Sequence, residues 1–261
     1  MDNVWVGTSG WTYADWAGAF YPRDVAKKRW LDWYATQFGT TEINASFYRT
    51  PSEAAVESWR DGTPDGFLFA WKASKFITHW KRLGPSSASS ISLMETRLRL
   101  LGPKLGPVLF QLPQRFEADL GRLRDFVELL PREYTYAFEF RQASWYAPAC
   151  LDLLRERDIA LCISDHHQAP APWLATARHV YVRGHGPRGD YKGHYSDETL
   201  RDWTGRIRRW AGEGHRVFVY FDNDQKSAAP ADARRLLAFL SSKRRAARRT
   251  ALERGPRSRV S

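Results

Sequence analysis

Eight short runs of apolar, β-branched and aromatic residues recur along the chain, and most are separated by a segment of helical period. The runs are VWVGTSGW (4–11), TTEINAS (40–46), FLFAWKA (67–73), PVLFQLP (107–113), TYAFEFR (135–141), ALCISD (160–165), HVYVRGHG (179–186) and RVFVYFDND (216–224). Helical patterns fall at 29–38, 52–60, 89–101, 119–130, 147–157, 197–211 and 230–240, with Phe126, Leu129 and Leu130 at the spacing of a buried helical face. Strands that alternate with helices are covered on both faces of a parallel sheet, and eight such units predict a (β/α)8 TIM barrel. Between the sixth and seventh runs, Pro170 and Pro172 spoil a helix, so the barrel is expected to be irregular with one degenerate helix there. An open doubly wound sheet is the alternative, weakened because no Gly-rich dinucleotide fingerprint follows the first run.

A chain of 261 residues, 43% hydrophobic and with 12 Trp, can bury a sizeable core. No apolar run approaches the roughly 18 residues of a membrane span, so no membrane partner is expected. The start, MDNVWVGTSGW, lacks the pattern of a secretory signal. Cys150 and Cys162 have no framework spacing and are expected to be reduced, buried thiols, which suits a cytoplasmic location. Residues 241–261 carry eight Lys/Arg against one Glu, a net +7 of the chain's +11, which leaves +4 on residues 1–240. The expectation is therefore a single domain over 1–240 followed by a basic, flexible tail. Such a tail either grips phosphate backbones or is a solvated end.

In a barrel of this class the site lies at the C-terminal ends of the strands. Every one of these ends is polar: Ser9; Glu42, Asn44 and Ser46; Lys72; Gln111; Glu139 and Arg141; Asp165; Arg183 and His185; Asp222, Asn223 and Asp224. Eight polar ends in eight exceed what loop entry alone would produce. Side chains two apart share a strand face, which pairs Glu42 with Asn44, Glu139 with Arg141, and Arg183 with His185.

These residue types divide by chemistry. Glu42, Glu139, Asp165 and His185 are the candidate catalytic groups: Glu42 and Glu139 as base or metal ligand, Asp165 and His185 as proton-transfer or orienting partners. Lys72, Arg141 and Arg183 would balance the charge of an anionic small molecule, with Asn44, Gln111 and Asn223 orienting it. Competing structural roles are a buried Glu139–Arg141 ion pair and a capping Asp165. Four glycines in RGHGPRGDYKGHYSDE (183–198) raise the prospect of backbone amides facing a phosphate. Oxygen and nitrogen donors admit a divalent metal as a weak candidate cofactor, for no HxxxH, HExxH or paired-Cys spacing supports one. Nucleic acid is the alternative partner, held by the tail and by mouth aromatics such as Trp11, Trp16, Trp80 and Tyr191.

Ten motifs in order, GTSGW, FYP, TEINASFYRTP, FLFAWKAS, THWKRL, LGPKLGPVLFQLP, AFEFRQASW, YVRGHG, YKGHYSDE and YFDND, resemble the family catalogued as domain of unknown function 72, the YecE-like proteins. The resemblance runs to about residue 240. It implies an irregular TIM barrel related in shape to the xylose-isomerase and endonuclease IV class, and a nucleic-acid role by that analogy only. The chain departs from the family pattern at Gln114, Asp222, Ser227 and Asp232.

Overall fold

The computed structural model describes residues 2–253, with side chains through Ser242. The side chains of 243–261, nearly all of those in the basic stretch expected at 241–261, and the backbone from 254 on lie outside the described residues. Eight parallel strands form one sheet: β1 (Val4–Thr8), β2 (Thr40–Ile43), β3 (Leu68–Lys72), β4 (Leu105–Gln111), β5 (Tyr136–Glu139), β6 (Ala160–Ser164), β7 (His179–Gly184) and β8 (Arg216–Phe221). Hydrogen bonding runs from β1 through β8 and back down to β2. The sheet closes where the Gly10 amide donates to the Glu42 carbonyl at 2.8 Å, just beyond β1 and β2. This is an α/β TIM barrel.

The helices are α1 (Trp30–Gln37), α2 (Ala45–Tyr48), α3 (Glu53–Asp61), α4 (Ala88–Leu101), α5 (Leu120–Glu128), α6 (Pro148–Glu156), α7 (Asp197–Gly212) and α8 (Ala228–Glu253). Local chemistry starts them. Ser52, Asp119 and Ser196 accept from the amides of Ala55, Arg122 and Thr199, satisfying donors that the first turn leaves free. Pro148 occupies the first turn of α6, where its missing N–H costs nothing.

No helix links β6 to β7. The segment runs along β6 instead: the Thr176 hydroxyl accepts from the Leu161 amide (2.6 Å) and donates to the Ile159 carbonyl (2.7 Å). Trp173 then stacks on Trp210 of α7 at 5.9 Å, so one large ring covers the wall that a helix would otherwise cover.

Two apolar clusters follow from strand alternation. Leu68, Ala70, Leu109, Ala137, Cys162, Tyr181 and Phe218 fill the barrel interior, while the larger cluster lies between the wall and the helices. The interior positions continue, two residues further on, to Lys72, Gln111, Glu139, Ser164 and Arg183. The plug is thus apolar below and charged at the top. Both cysteines are buried free thiols.

Each expected run extends past the end of its strand, and at β2 the difference moves a candidate residue. The strand expected over 40–46 ends at Ile43, and all four of its residues are buried. Asn44 turns into the right-handed helical region and opens α2. Glu42 therefore points into the barrel as part of a strand, whereas Asn44 leaves from a turn.

Candidate functional site

Arg183 stands at the centre of the charged layer and is fully buried. Its Nη1 donates to Glu139 Oε2 at 2.7 Å, and its Nη2 to Glu42 Oε1 and Asp222 Oδ2, each at 2.8 Å. Ser9 Oγ donates to Glu42 Oε1 (2.5 Å) and accepts from Arg183 Nη2 (3.0 Å), while the Tyr181 hydroxyl donates to Glu42 Oε2 (2.6 Å). One guanidinium thus holds carboxylates from β2, β5 and the end of β8. Its planar fork is what allows this; an ammonium has no such span.

Arg141 forms the second tier. Its Nη2 pairs with Glu139 Oε1 at 2.5 Å, and its Nη1 donates to the Tyr191 hydroxyl at 3.0 Å. Burial by itself would push the Glu139 carboxyl up, but Arg141 and Arg183 outweigh it and hold the group well below the usual carboxylate range. His185 Nε2 accepts from both guanidiniums, each at 3.1 Å. Its Nδ1–H then faces Asp165 Oδ1 at 3.3 Å, and burial with two neighbouring arginines drives the imidazole well below its ordinary value. Because both guanidiniums can only donate, this geometry assigns Nε2 as the acceptor and the ring proton to Nδ1.

Asp165 is fastened by the His185 amide (2.7 Å) and the Tyr195 hydroxyl. Burial raises it to about 6, against those two hydrogen bonds, which lower it. Lys72 is buried beside this network. Its Nζ donates to Asn44 Oδ1 at 3.1 Å and lies 4.5 Å from the centre of the Phe47 ring. Burial lowers it to about 8, and the nearby Arg183 adds to the shift.

Above these groups opens a cleft of about 430 Å³, lined among others by His79, Gln111, Gln114, Arg115, Arg141 and Tyr191. Two arginines face it and no carboxylate does. Burial lowers His79 to about 4, and Lys72 and Arg141 lower it further.

Of the residues singled out from sequence, Glu42, Glu139, Asp165, His185, Arg141 and Arg183 share one network, Lys72 and Asn44 pair beside it, and Gln111 lines the cleft. Asn223 is apart: its Nδ2 donates to the Gly193 carbonyl (2.7 Å) and to Asp232 Oδ2 (2.9 Å), tying the loop after β7 to α8. The glycine-rich loop spends its amides internally. Gly186 N donates to the Tyr195 hydroxyl (2.7 Å), Gly189 N to the Gly186 carbonyl (2.8 Å) and Tyr191 N to the His185 carbonyl (2.6 Å). At Gly189 a Cβ would sit 2.4 Å from the Asp165 carbonyl oxygen, so close packing is what requires glycine there. Trp11 and Trp16 are buried in the core, whereas Trp80 is exposed.

Among the described residues no group of three or more His, Cys, Asp and Glu has the arrangement to hold a metal ion. Glu42, Glu139 and Asp222 converge on a guanidinium instead. The sequence reading gave Ser9 only as a polar strand end and missed Ser164, Tyr181 and Tyr195, whose hydroxyls bond to the network's carboxylates. Tyr181 carried the only usable signal, standing two residues before Arg183 on the same strand face.

The family model described as "Protein of unknown function DUF72" matches residues 5–257. The chain belongs to the DUF72 family. It is 26% identical over 270 residues to the UPF0759 protein YunF of Bacillus subtilis (91% of this chain, 94% of that protein). It is 28% identical over 145 residues to the UPF0759 protein YecE of Escherichia coli K12, covering 55% of this chain and 50% of that one. A DUF72 family crystal structure from Thermotoga maritima superposes with a TM-score of 0.84 at 25% identity, covering 91% of this chain and 99% of that one. A DUF72 structure from Enterococcus faecalis (TM-score 0.78, 20% identity, 91% and 95% covered) shares the fold. No helix of the described DUF72 chain is long and apolar enough to cross a membrane.

Proposed function

We propose that the barrel mouth of this DUF72 protein binds a small phosphate-bearing anion and supports acid–base chemistry of the hydrolase or isomerase kind on it. The observation that carries this is the cleft faced by Arg115 and Arg141 with no carboxylate on its lining. Arginine's fork suits phosphate oxygens. Glu42 and Glu139 act as charge anchors, since both are spent on guanidiniums. His185 orients those guanidiniums through its occupied Nε2. Asp165, at about 6, and Lys72, at about 8, can exchange a proton near neutral pH, as can Asp224, also at about 6. The carboxylates a metal would use, Glu42, Glu139 and Asp222, already hold Arg183. A cytoplasmic location accords with two buried thiols left unpaired.

Melting the protein with inorganic phosphate or pyrophosphate tests the binding. A ligand at a hundred times its Kd adds about 2.7 kcal/mol of stability. Wild type should gain stability and Arg141→Met should not. No gain beyond that in chloride of equal ionic strength would remove the anion site.

A second role, nucleic-acid binding without catalysis, is favoured by one surface. Tyr48, Phe76 and Trp80 are exposed beside the mouth. Lys75 Nζ lies 5.5 Å from the Tyr48 ring centre and 5.8 Å from that of Trp80, and Lys81 Nζ lies 4.9 Å from that of Phe76. Aromatic rings interleaved with cations suit stacked bases on a single strand.

A further inference from the structure

Lys72 stands out among the buried cations. Buried lysines are normally paired with a carboxylate, yet the described residues offer this one a single neutral acceptor, Asn44 Oδ1, and the face of Phe47. Arg183, in the same layer, pairs directly with Glu42, Glu139 and Asp222, so Lys72 has a competing cation nearby and feels those carboxylates only at longer range. A desolvated lysine next to another cation is the arrangement that yields a neutral, nucleophilic amine. Two contacts lead from the amine toward the cleft. The Phe47 ring carries the ammonium on its face and meets the His79 ring edge-on at 5.1 Å, and His79 lines the cleft. Lys72 keeps 5% of its surface exposed, and Asn44 is half-buried.

We propose that Lys72 forms an imine with the carbonyl carbon of a small anionic aldehyde or 2-oxo acid whose charged end rests against Arg141 and Arg115. This rests on the anion-binding role of the same cleft. The neutral amine adds its lone pair to the carbonyl carbon, forming a C–N bond and a carbinolamine. Loss of the hydroxyl with the remaining nitrogen proton releases one water and leaves the C=N bond. No oxidant or reductant is consumed. The imine is an electron sink for bonds at the neighbouring carbon, which is chemistry an isomerase or a carbon–carbon lyase needs.

The test is reductive trapping. The full-length protein is incubated with glyoxylate and cyanoborohydride, and carboxymethyl groups are located by peptide mass spectrometry. Lys72 should be modified at least tenfold faster than the exposed Lys28 and Lys192, with a rate that rises through pH 8 (Lys72 is lowered to about 8), whereas exposed lysines need a higher pH. Arg141→Met should slow Lys72 alone. Modification of Lys72 no faster than of Lys28 and Lys192 would overturn the proposal. Because that variant could perturb the fold, added phosphate provides an independent arm: it should protect Lys72 in the wild type. Phosphate stabilisation with Lys72 left unmodified would end the imine and spare the anion site. Fast modification that phosphate does not slow would support the nucleophile and end the anion site.

Discussion

At the scale of single residues, the mouth depends on Arg183. Three carboxylates are buried only because this guanidinium is among them, and deleting one member of such a group leaves the others uncompensated, at a cost of about 3–5 kcal/mol. Arg183→Met should lower stability by that much in urea titrations at pH 7, and Arg183→Lys should recover little of it, since a point charge cannot serve three directions. A loss under about 1 kcal/mol would mean that the carboxylates take up protons or water at little cost. Arg183, Glu42 and Glu139 were each visible in the sequence as polar strand ends. Their mutual contact was not, because Glu42 and Arg183 lie 141 positions apart. Contact with Arg141, 44 positions away, likewise hid the consequence for His185, whose imidazole looks like a base by composition and has its free lone pair occupied in the fold. Lys72 shows the reverse case: it reads as a simple ligand cation until the absence of a carboxylate partner around it is seen.

At the scale of elements, the seam between β1 and β2 closes the barrel and carries Ser9 and Glu42 to their places. Gly7 makes that possible, since a Cβ there would sit 2.2 Å from the Thr40 carbonyl oxygen. Gly7→Ala should cost about 1–3 kcal/mol through overpacking and strain. It should also speed hydrogen exchange at the Gly10 amide, which bonds to the Glu42 carbonyl across the seam. Unchanged exchange there would show that the seam yields without opening. Strand and helix identities were legible from period alone, because alternating and three-to-four spacings report which face is buried. Strand ends were less so. Polar residues continue the alternation past Ile43 and past Ser164, and nothing local marks where inter-strand hydrogen bonding stops. Trp173 replacing a helix was likewise out of reach, since its partner ring Trp210 belongs to α7.

At the scale of the whole molecule, charge is unevenly distributed. Most of the net +11 sits on residues 241–261, and the aromatic surface at Tyr48, Phe76 and Trp80 lies on the barrel itself. The two contribute differently to binding a single strand. Truncation after Ser242 should weaken binding to a single-stranded oligonucleotide and flatten its salt dependence, as counterion release falls with each lost phosphate contact. Trp80→Ala should weaken it by about 1–3 kcal/mol with the salt slope unchanged, because stacking is not ionic. Fluorescence titrations at several salt concentrations separate the two. If truncation removes all affinity and Trp80→Ala changes nothing, the aromatic surface is not a nucleic-acid site.

The sequence by itself determined the barrel, its eight strands, the missing sixth connecting helix and the ring of polar strand ends, because each follows from patterns spanning a few residues. The tertiary structure decided which of those polar groups are spent on one another. Charge pairing across the barrel depends on distances between strands far apart in the chain. So Glu42, one of eight polar strand ends in the sequence, became an anchor for Arg183, and Lys72 was left with the neutral Asn44 Oδ1 as its acceptor.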